Sequence, residues 1–257
     1  NYINKEVDSV FLKQVTLKTP INFSGVGVHN GRCVNMTIYP AKEDSGIIFK
    51  RLDLNNNNII KAHINSIDRS YLCTRLTNKK GASVSTIEHL MAAFSAFGID
   101  NALVELNDAE LPALDGSSGE YIKKFIKYGI EEQKKNKKVV RVLKNIKVSD
   151  GKRFVSISPS EVFSLNITID YPKTLIGRSS LTYTHSKQNF VDCLSHARTY
   201  ALYEDIEKMR ASGQGIGGNL NNAIVVDKYK ILNSDGLRFE KEFVKHKALD
   251  CIGDYIC

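Results

Sequence analysis

The sequence STIEHLMAAFSAFG at residues 85–98 carries the clearest periodic pattern in this chain. Its large apolar side chains follow the spacing i, i+3, i+4 and i+7 at Ile87, Leu90, Met91 and Phe94. That spacing predicts an amphipathic helix from Ser85 to Phe97. Gly98 is well suited to end it, because glycine readily adopts the left-handed backbone conformation that follows a last helical turn.

Strand and helix signals flank this segment on both sides. Strand-like segments occur at residues 15–20, 34–39, 102–106, 152–158, 164–170 and 223–226. Further helices are predicted at residues 120–128, 190–194, 204–209 and 239–252. The pair Asn30-Gly31, just before the second strand, is typical of a type I′ hairpin turn. Because strands and helices are mixed without strict alternation, the predicted fold class is α+β.

One segment differs sharply in composition from its surroundings. Residues 131–138 read EEQKKNKK and are polar or charged throughout. We interpret them as a linker between a first domain at residues 1–133 and a second domain at residues 134–257. A charged helix end and loop within a single domain is the alternative interpretation.

The overall composition is that of a globular protein with a buried core. Of the 257 residues, 42% are hydrophobic and 25% are charged. No apolar run approaches the roughly 18 residues that a membrane span needs, and no signal-peptide pattern is found, so neither element is expected. The net charge of +8 fits a lysine-rich solvated surface. It also fits an anionic partner, either a phosphorylated substrate or a nucleic acid.

The cysteines indicate a reducing compartment. There are five of them, an odd number, and they are widely spaced with no C-x-x-C pair. A disulfide framework is therefore not expected, and the spacing excludes a cysteine-based zinc site. This usage is typical of a cytoplasmic protein.

Two of the predicted helices carry residues that could do chemistry. His246 and Asp250 are four residues apart, so their side chains share one helix face and could chelate a metal ion. A surface His–Asp pair is the ordinary alternative. A third ligand from His89 would leave zinc with an open position for water. Glu88 would then be a free carboxylate able to deprotonate that water, or else the partner of Ser85 in a capping box.

The remaining candidates are weaker. The glycine cluster from Gly213 to Gly218 fits neither common phosphate-loop pattern, so a flexible surface turn is expected there. Four other histidines have no partner at ligand spacing and are interpreted as ordinary core or surface residues: His29, His63, His185 and His196.

Several motifs occur together in a fixed order along the chain. They are STIEHLMAA at 85–93, GIDNA at 98–102, DGS at 115–117, ARTY at 197–200, NAIVV at 222–226, DGLRF at 235–239 and FVKHKALDCIGD at 243–254. In order and spacing they resemble the UDP-3-O-acyl-N-acetylglucosamine deacetylases, the zinc amidases of lipid A biosynthesis. The resemblance extends from about Gln14 to Asp254. It implies two α+β domains of similar topology with the active site between them.

The resemblance also implies a role for each matching residue. The Zn²⁺ ligands would be His89, His246 and Asp250. Glu88 matches the general base, and Thr199 matches the hydroxyl that helps to hold the oxyanion. Lys247 matches a lysine near the substrate phosphates, and Tyr171 falls where the family contacts the uridine. Tyr200 stands where the family often has Phe, and it adds a hydroxyl to the substrate site.

Two further implications concern the second half of the chain. Residues 203–226 match an insert that forms a passage for the acyl chain, with Ile206 and Val225 as its expected apolar walls. Asp254 matches a carboxylate that orients the histidine acting as general acid, which lies in a Gly-His segment beyond it in the family. No Gly-His pair occurs in this sequence, which stops at Cys257. We therefore expect a fragment with exposed apolar surface in its second half, and with little activity because the general acid is missing.

The favoured reading is therefore zinc-dependent hydrolysis of the N-acetyl group of UDP-3-O-acyl-N-acetylglucosamine to the free amine and acetate. It predicts a cytoplasmic monomer with no nucleic-acid partner. One alternative is a zinc amidase of the same fold that acts on another acylated amino sugar. The other is a basic nucleic-acid-binding protein, which would leave the spacing of His246 and Asp250 unexplained and lacks aromatic residues among its lysines.

Overall fold

The computed structural model describes residues 12–70 and 72–255, so Cys257 lies outside the described residues. The described helices are α1 (Glu88–Phe97), α2 (Gly119–Tyr128), α3 (Lys187–Cys193), α4 (Tyr203–Ala211) and α5 (Glu242–Asp254), with a 3-10 turn at Ile64–Ser66. The strands of the first half are β1 (Lys13–Leu17), β2 (Ile21–Val26), β3 (Cys33–Pro40), β4 (Ile47–Arg51), β5 (Ile59–Lys61), β6 (Ile67–Asp68), β7 (Arg75–Thr77), β8 (Ser83–Ser85), β9 (Ala102–Leu106) and β10 (Ile130–Asn136). Those of the second half are β11 (Ile146–Asp150), β12 (Arg153–Ile157), β13 (Ser164–Tyr171), β14 (Gly177–Thr184), β15 (Tyr200–Leu202), β16 (Ile224–Asp227) and β17 (Lys230–Ile231). The predicted α+β class is confirmed, while the similar topology of two domains stays a prediction.

The main core forms where α1 packs on a five-stranded sheet. The sheet has the strand order β2-β3-β9-β4-β5, and only the β4–β9 pair is parallel. The predicted helix is present, but nine of its ten residues are buried, so it lies in the core on all sides rather than with one polar face exposed. Small side chains at Ala92, Ala93 and Ala96 allow this close packing on every side.

Helix α1 also packs along α5, and this contact positions the functional residues. Gly253 in α5 lies directly against the backbone of Glu88, where a Cβ atom would overlap the Glu88 carbonyl oxygen. A residue with any side chain at this position would push the two helices apart. The first turn of α1 is therefore held against the last turn of α5.

The start of α1 differs from the sequence prediction. Ser85 is the last residue of β8, Thr86 has a left-handed backbone with φ of 58°, and the helix begins at Glu88. The hydroxyl of Ser85 donates to the Ala109 carbonyl instead of capping the helix. The capping-box alternative is therefore wrong, because strand pairing holds Ser85 in an extended conformation. That result leaves the Glu88 carboxylate available for chemistry.

The hairpin between β2 and β3 is present, but its turn is longer than predicted. The strands pair up to Val26 and Cys33, and Gly31 is the turn residue with positive φ, so the type I′ prediction at Asn30-Gly31 is wrong. The buried carboxylate of Glu110 accepts the backbone N–H groups of His29 and Asn30 at 2.9 and 2.8 Å. These bonds satisfy the turn's donors and favour a loop over a two-residue turn.

The charged segment 131–138 is not a linker. Most of it lies in β10, which pairs antiparallel with β1 from Leu17↔Ile130 to Lys13↔Asn136. Backbone pairing does not require apolar side chains, and a charged strand at the edge of a sheet resists further pairing. Lys135 and Lys138 instead form ion pairs with Asp44. The proposed division between residues 133 and 134 falls inside this strand, and the division into two domains stays a prediction.

The second half has its own smaller core beneath α5. Ile169 of β13, Ile224 of β16 and Val244 of α5 are buried together there. By contrast, the β11–β12 hairpin exposes large apolar side chains, among them Val148 and Phe154. None of the described helices is long and apolar enough to cross a bilayer.

Candidate metal centre and active site

The three expected metal ligands lie together between α1 and α5. His89 occupies the first turn of α1, while His246 and Asp250 lie one turn apart on α5. The candidate ligand atoms of all three lie within 4.8 Å of one another. The two imidazole rings meet edge to face, with centroids 4.9 Å apart. Residues 157 positions apart in sequence are therefore brought to the spacing that one metal ion requires.

The orientation of His246 is fixed by a backbone carbonyl. Its Nδ1 lies 2.9 Å from the Ala197 carbonyl oxygen, which can only accept a hydrogen bond. Nδ1 therefore carries the proton, and Nε2 keeps the lone pair that a metal ion needs. Burial lowers the pKa of His246 to about 3, so the ring is neutral near pH 7. Neutral imidazole is the form that binds metals.

Asp250 has one oxygen left over for a metal ion. Its Oδ1 is buried and has no hydrogen-bond partner among the described residues, although Nε2 of His246 and Nε2 of His89 approach it at 3.4 and 3.5 Å. Its Oδ2 accepts a hydrogen bond from Lys247 at 2.9 Å. Because a buried carboxylate oxygen without a partner is costly, this arrangement fits a bound cation. The donor set of two imidazoles and one carboxylate also fits zinc with an open position.

Glu88 lies beside the three ligands but is held by a different group. It is buried, and its Oε2 accepts the backbone N–H of Thr74 at 3.1 Å. Burial raises the pKa of Glu88 to about 7, with a further rise from the negative charge of Asp250. A carboxylate in this environment can accept a proton near neutral pH.

Thr199 is placed by two backbone hydrogen bonds. Its N–H donates to the Gly116 carbonyl at 2.8 Å, and its own carbonyl accepts from Ile224 at 2.8 Å. It follows Ala197, the residue that orients His246, by two positions. Gly116 has φ of 81°, and a Cβ atom there would overlap the Asn222 carbonyl oxygen, so glycine is needed at this contact.

The residues expected near the substrate head group lie together on one side of the metal ligands. The ammonium of Lys247 lies 5.5 Å from the centre of the Tyr200 ring, and the Tyr200 ring is 6.3 Å from that of His246. The hydroxyl of Tyr200 donates to that of Tyr171 at 3.4 Å, and burial raises the pKa of Tyr200. The Tyr200 hydroxyl, which a phenylalanine would lack, thus links two of the expected contact residues.

The insert at 203–226 contains α4, the glycine cluster and β16. Val225 is buried in β16, which runs parallel to β15, and Ile206 is half-buried on α4. The glycine cluster is not a free turn, because Ile216 and Gly217 donate backbone hydrogen bonds to the loop between β2 and β3. An acyl passage formed by Ile206 and Val225 stays a prediction.

Two side chains that the sequence analysis did not single out, Thr74 and Arg198, form hydrogen bonds that hold the elements of the site together. Thr74 donates its hydroxyl to Oδ1 of Asp254 at 2.6 Å, in addition to its backbone contact with Glu88. Arg198 is buried and pairs with Glu242, the first residue of α5, at 2.8 Å. Arg198 belongs to the ARTY motif at 197–200, but its pairing joins residues 44 positions apart and no local pattern indicates it.

The four other histidines lie outside the group of metal ligands. His63 and His196 are exposed, and His63 caps the 3-10 turn that follows it. His185 packs against aromatic rings, with the Phe190 ring centre 6.4 Å away. His29 is half-buried in the loop held by Glu110, and burial lowers its pKa. All four sites are compatible with their interpretation as ordinary residues.

Comparisons with known proteins define the class of this chain. The family model described as LpxC: UDP-3-O-acyl N-acetylglycosamine deacetylase matches residues 14–257. The chain belongs to this family, and the family resemblance inferred from the motifs is confirmed.

Individual relatives can be aligned with almost the whole chain. A protein of Histophilus somni (strain 129Pt) is 43% identical over 249 residues, which is 96% of this chain and 82% of the relative. A protein of Haemophilus influenzae (strain PittEE) is 43% identical over 245 residues, covering 95% of this chain and 80% of the relative. One of Shewanella violacea (strain JCM 10179) is 42% identical over 243 residues, covering 94% and 79%. Each of the three is named UDP-3-O-acyl-N-acetylglucosamine deacetylase.

Proposed function

We propose that this chain hydrolyses the N-acetyl group of UDP-3-O-acyl-N-acetylglucosamine, releasing acetate and a free amine in lipid A biosynthesis. Membership in the deacetylase family supports this assignment. The observation that carries it in the structure is the group formed by His89, His246 and Asp250, with the Glu88 carboxylate beside it. The alternative of a nucleic-acid-binding protein does not account for this buried group of ligand residues.

The bound metal ion is zinc in this proposal. When bound, zinc supplies a Lewis acid that polarises the amide carbonyl and makes water easier to deprotonate. His89 and His246 would hold it through imidazole nitrogens, and Asp250 through the oxygen that has no other partner. The hydrogen bond from Lys247 fixes the second oxygen of Asp250 and keeps the first one directed at the ligand group.

Different residues of the chain have different roles in the reaction. Glu88 accepts the proton of the attacking water, which its burial and its hydrogen bond to the Thr74 backbone prepare it to do. The hydroxyl of Thr199 donates to the negatively charged oxygen that develops on the acetyl carbon. A donor placed for this purpose stabilises the transition state by roughly 3–4 kcal/mol. Asp254 orients the group that protonates the departing amine.

Substrate contacts follow from the side chains beside the metal ligands. Lys247 would attract the diphosphate, while Tyr171 and Tyr200 would contact the nucleoside part of the substrate. Ile206 and Val225 would line the passage for the acyl chain, where burial of apolar surface favours a long chain. We further propose that the protein acts as a monomer in the cytoplasm, a location supported by the four described cysteines, which are all free.

The direct experiment measures acetate release from UDP-3-O-acyl-N-acetylglucosamine by the complete protein encoded by the gene, loaded with metal, and its metal content is determined in parallel. We expect turnover that requires zinc and that chelation abolishes. UDP-N-acetylglucosamine without the acyl chain serves as the matched control substrate and should react far more slowly. Equal rates on both substrates would contradict the acyl-chain part of the proposal. A zinc-loaded protein without turnover on either substrate would contradict the assigned reaction.

A further inference from the structure

Thr74 contacts two carboxylates at the place where the start of α1 meets the end of α5. Its backbone N–H donates to Oε2 of Glu88, at the first turn of α1. Its hydroxyl donates to Oδ1 of Asp254, the last residue of α5. Thr74 itself lies just before β7, so it belongs to neither helix. One residue from a third element therefore joins the ends of α1 and α5.

The backbone contacts around this link are close, although the hydroxyl bond itself is exposed to solvent. The contact of Gly253 with the Glu88 backbone holds the helix ends together next to the link. The hydroxyl bond to Asp254 is short, at 2.6 Å, as expected for an O–H donor to a charged oxygen. A threonine hydroxyl carries one proton, and here that proton is committed to Asp254. The backbone N–H then provides a second, independent donor for Glu88.

The electrostatic setting explains why such a link is needed. Glu88, Asp250 and Asp254 are three carboxylates crowded at the same end of the helix pair. Like charges at short range repel, so a hydrogen-bond donor on Glu88 and another on Asp254 lower the cost of keeping these carboxylates close together. A donor fixed to the fold keeps two of the three in set orientations at no further cost when the substrate binds.

We propose that Thr74 is a positioning residue for the deacetylation reaction, which holds the Asp254 carboxylate in a fixed relation to the Glu88 base. This inference rests on the proposed function. Thr74 is not itself a catalytic residue, because it acts through the two carboxylates. Loss of its hydroxyl should slow the chemical step and leave substrate binding and metal binding almost unchanged.

The test compares Thr74→Val with Thr74→Ser in the complete protein encoded by the gene, loaded with zinc. Valine keeps the size and the backbone N–H but removes the hydroxyl, while serine keeps the hydroxyl. We expect Thr74→Val to lower kcat about 10- to 100-fold, as for the loss of a hydrogen bond to a charged group. KM should change less than about threefold, and Thr74→Ser should recover most of the rate.

Thr77→Val is the matched control. The Thr77 hydroxyl also donates to a carboxylate, that of Asp68 at 2.9 Å, but neither residue belongs to the candidate metal ligands or contacts Glu88 or Asp254 through a described hydrogen bond. Its kcat should equal that of the wild type. All variants should also show the same thermal stabilisation by zinc, because none of them alters a metal ligand.

A double-variant cycle with Asp254→Asn separates positioning from general structural damage. If Thr74 acts through Asp254, then Thr74→Val should have less than a twofold further effect once the carboxylate is gone. Three results would overturn the inference. The first is a double variant whose loss of kcat is the full product of the two single losses. The others are a kcat for Thr74→Val equal to that of Thr77→Val, and a Thr74→Ser variant that does not recover the rate. A wild-type protein without turnover would instead overturn the proposed function on which the inference rests.

Discussion

Zinc binding should stabilise this chain, because the ligands join two helices that are far apart in sequence. His89 belongs to α1, whereas His246 and Asp250 belong to α5, so the complete site exists only in the folded protein. A ligand that binds only the folded state at 100 times its Kd raises the free energy of unfolding by about 2.7 kcal/mol. For a chain of this size, each kcal/mol corresponds to roughly 2–4 °C in Tm. Zinc should therefore raise Tm by roughly 5–10 °C.

The assay is thermal unfolding of chelator-treated protein, with and without added zinc, and it does not require catalytic activity. The quantity to compare is the zinc-dependent change in Tm, because a variant can also alter the stability of the metal-free protein. His246→Ala should abolish this change. Asp250→Asn removes the anionic ligand. If it weakens Kd a hundredfold, stabilisation at the same zinc concentration falls to about 0.4 kcal/mol.

His63→Ala is the matched control, since it removes an exposed imidazole that is not part of the ligand group and should keep the full zinc effect. Two results would refute the reasoning. One is a wild-type Tm that does not respond to zinc. The other is an equal response in His246→Ala, which would place the bound metal elsewhere.

Three further predictions concern other parts of the site. Glu88→Gln should keep the zinc effect on Tm but lower turnover by roughly 10²–10⁴-fold because the base is lost; a loss of zinc binding would make Glu88 a ligand instead. Lys247→Ala should raise KM for the nucleotide sugar and also weaken zinc binding, since Lys247 donates to Asp250; an unchanged KM would contradict its contact with phosphate. Gly116→Ala should lower the free energy of unfolding in urea by about 2–4 kcal/mol, because of its positive φ and the overlap with Asn222; a stability equal to the wild type's would show that this contact is looser than described.

The elements that carry the ligands could be predicted from local sequence patterns. The apolar spacing at 85–97 and the i, i+4 pair of His246 and Asp250 both depend on residues within one helix, and both helices are present. The proximity of His89 to that pair could not be derived from spacing, because it depends on how α1 packs on α5. From the residues alone His89 was one possible third ligand among open alternatives, and the family resemblance supplied the assignment.

The predictions that were wrong have a common physical origin. The capping box at Ser85, the type I′ turn at Asn30-Gly31 and the linker at 131–138 were all judged from local residues. In each case a partner distant in sequence provides the hydrogen bonds: Ala109 for Ser85, Glu110 for the turn at Asn30, and β1 for the charged segment. Local preference is worth a few tenths of a kcal/mol to about 1 kcal/mol, and a tertiary hydrogen bond that satisfies a buried group can outweigh it.

The supporting groups around the ligands are connected to one another, and this accounts for motifs that carry no chemistry. Arg238 donates to the Asp115 carboxylate at 2.8 Å and to the His196 carbonyl at 3.1 Å. It thereby fixes the loop of Gly116 next to the segment that contains Ala197. The Ala197 carbonyl sets the proton position on His246. A shift of this segment would therefore alter the orientation of the His246 ring, although no metal ligand is itself substituted. Asp115 of the DGS motif and Arg238 of the DGLRF motif therefore help to hold the segment of His196 and Ala197 in place, and their substitution should alter metal affinity before it alters the fold.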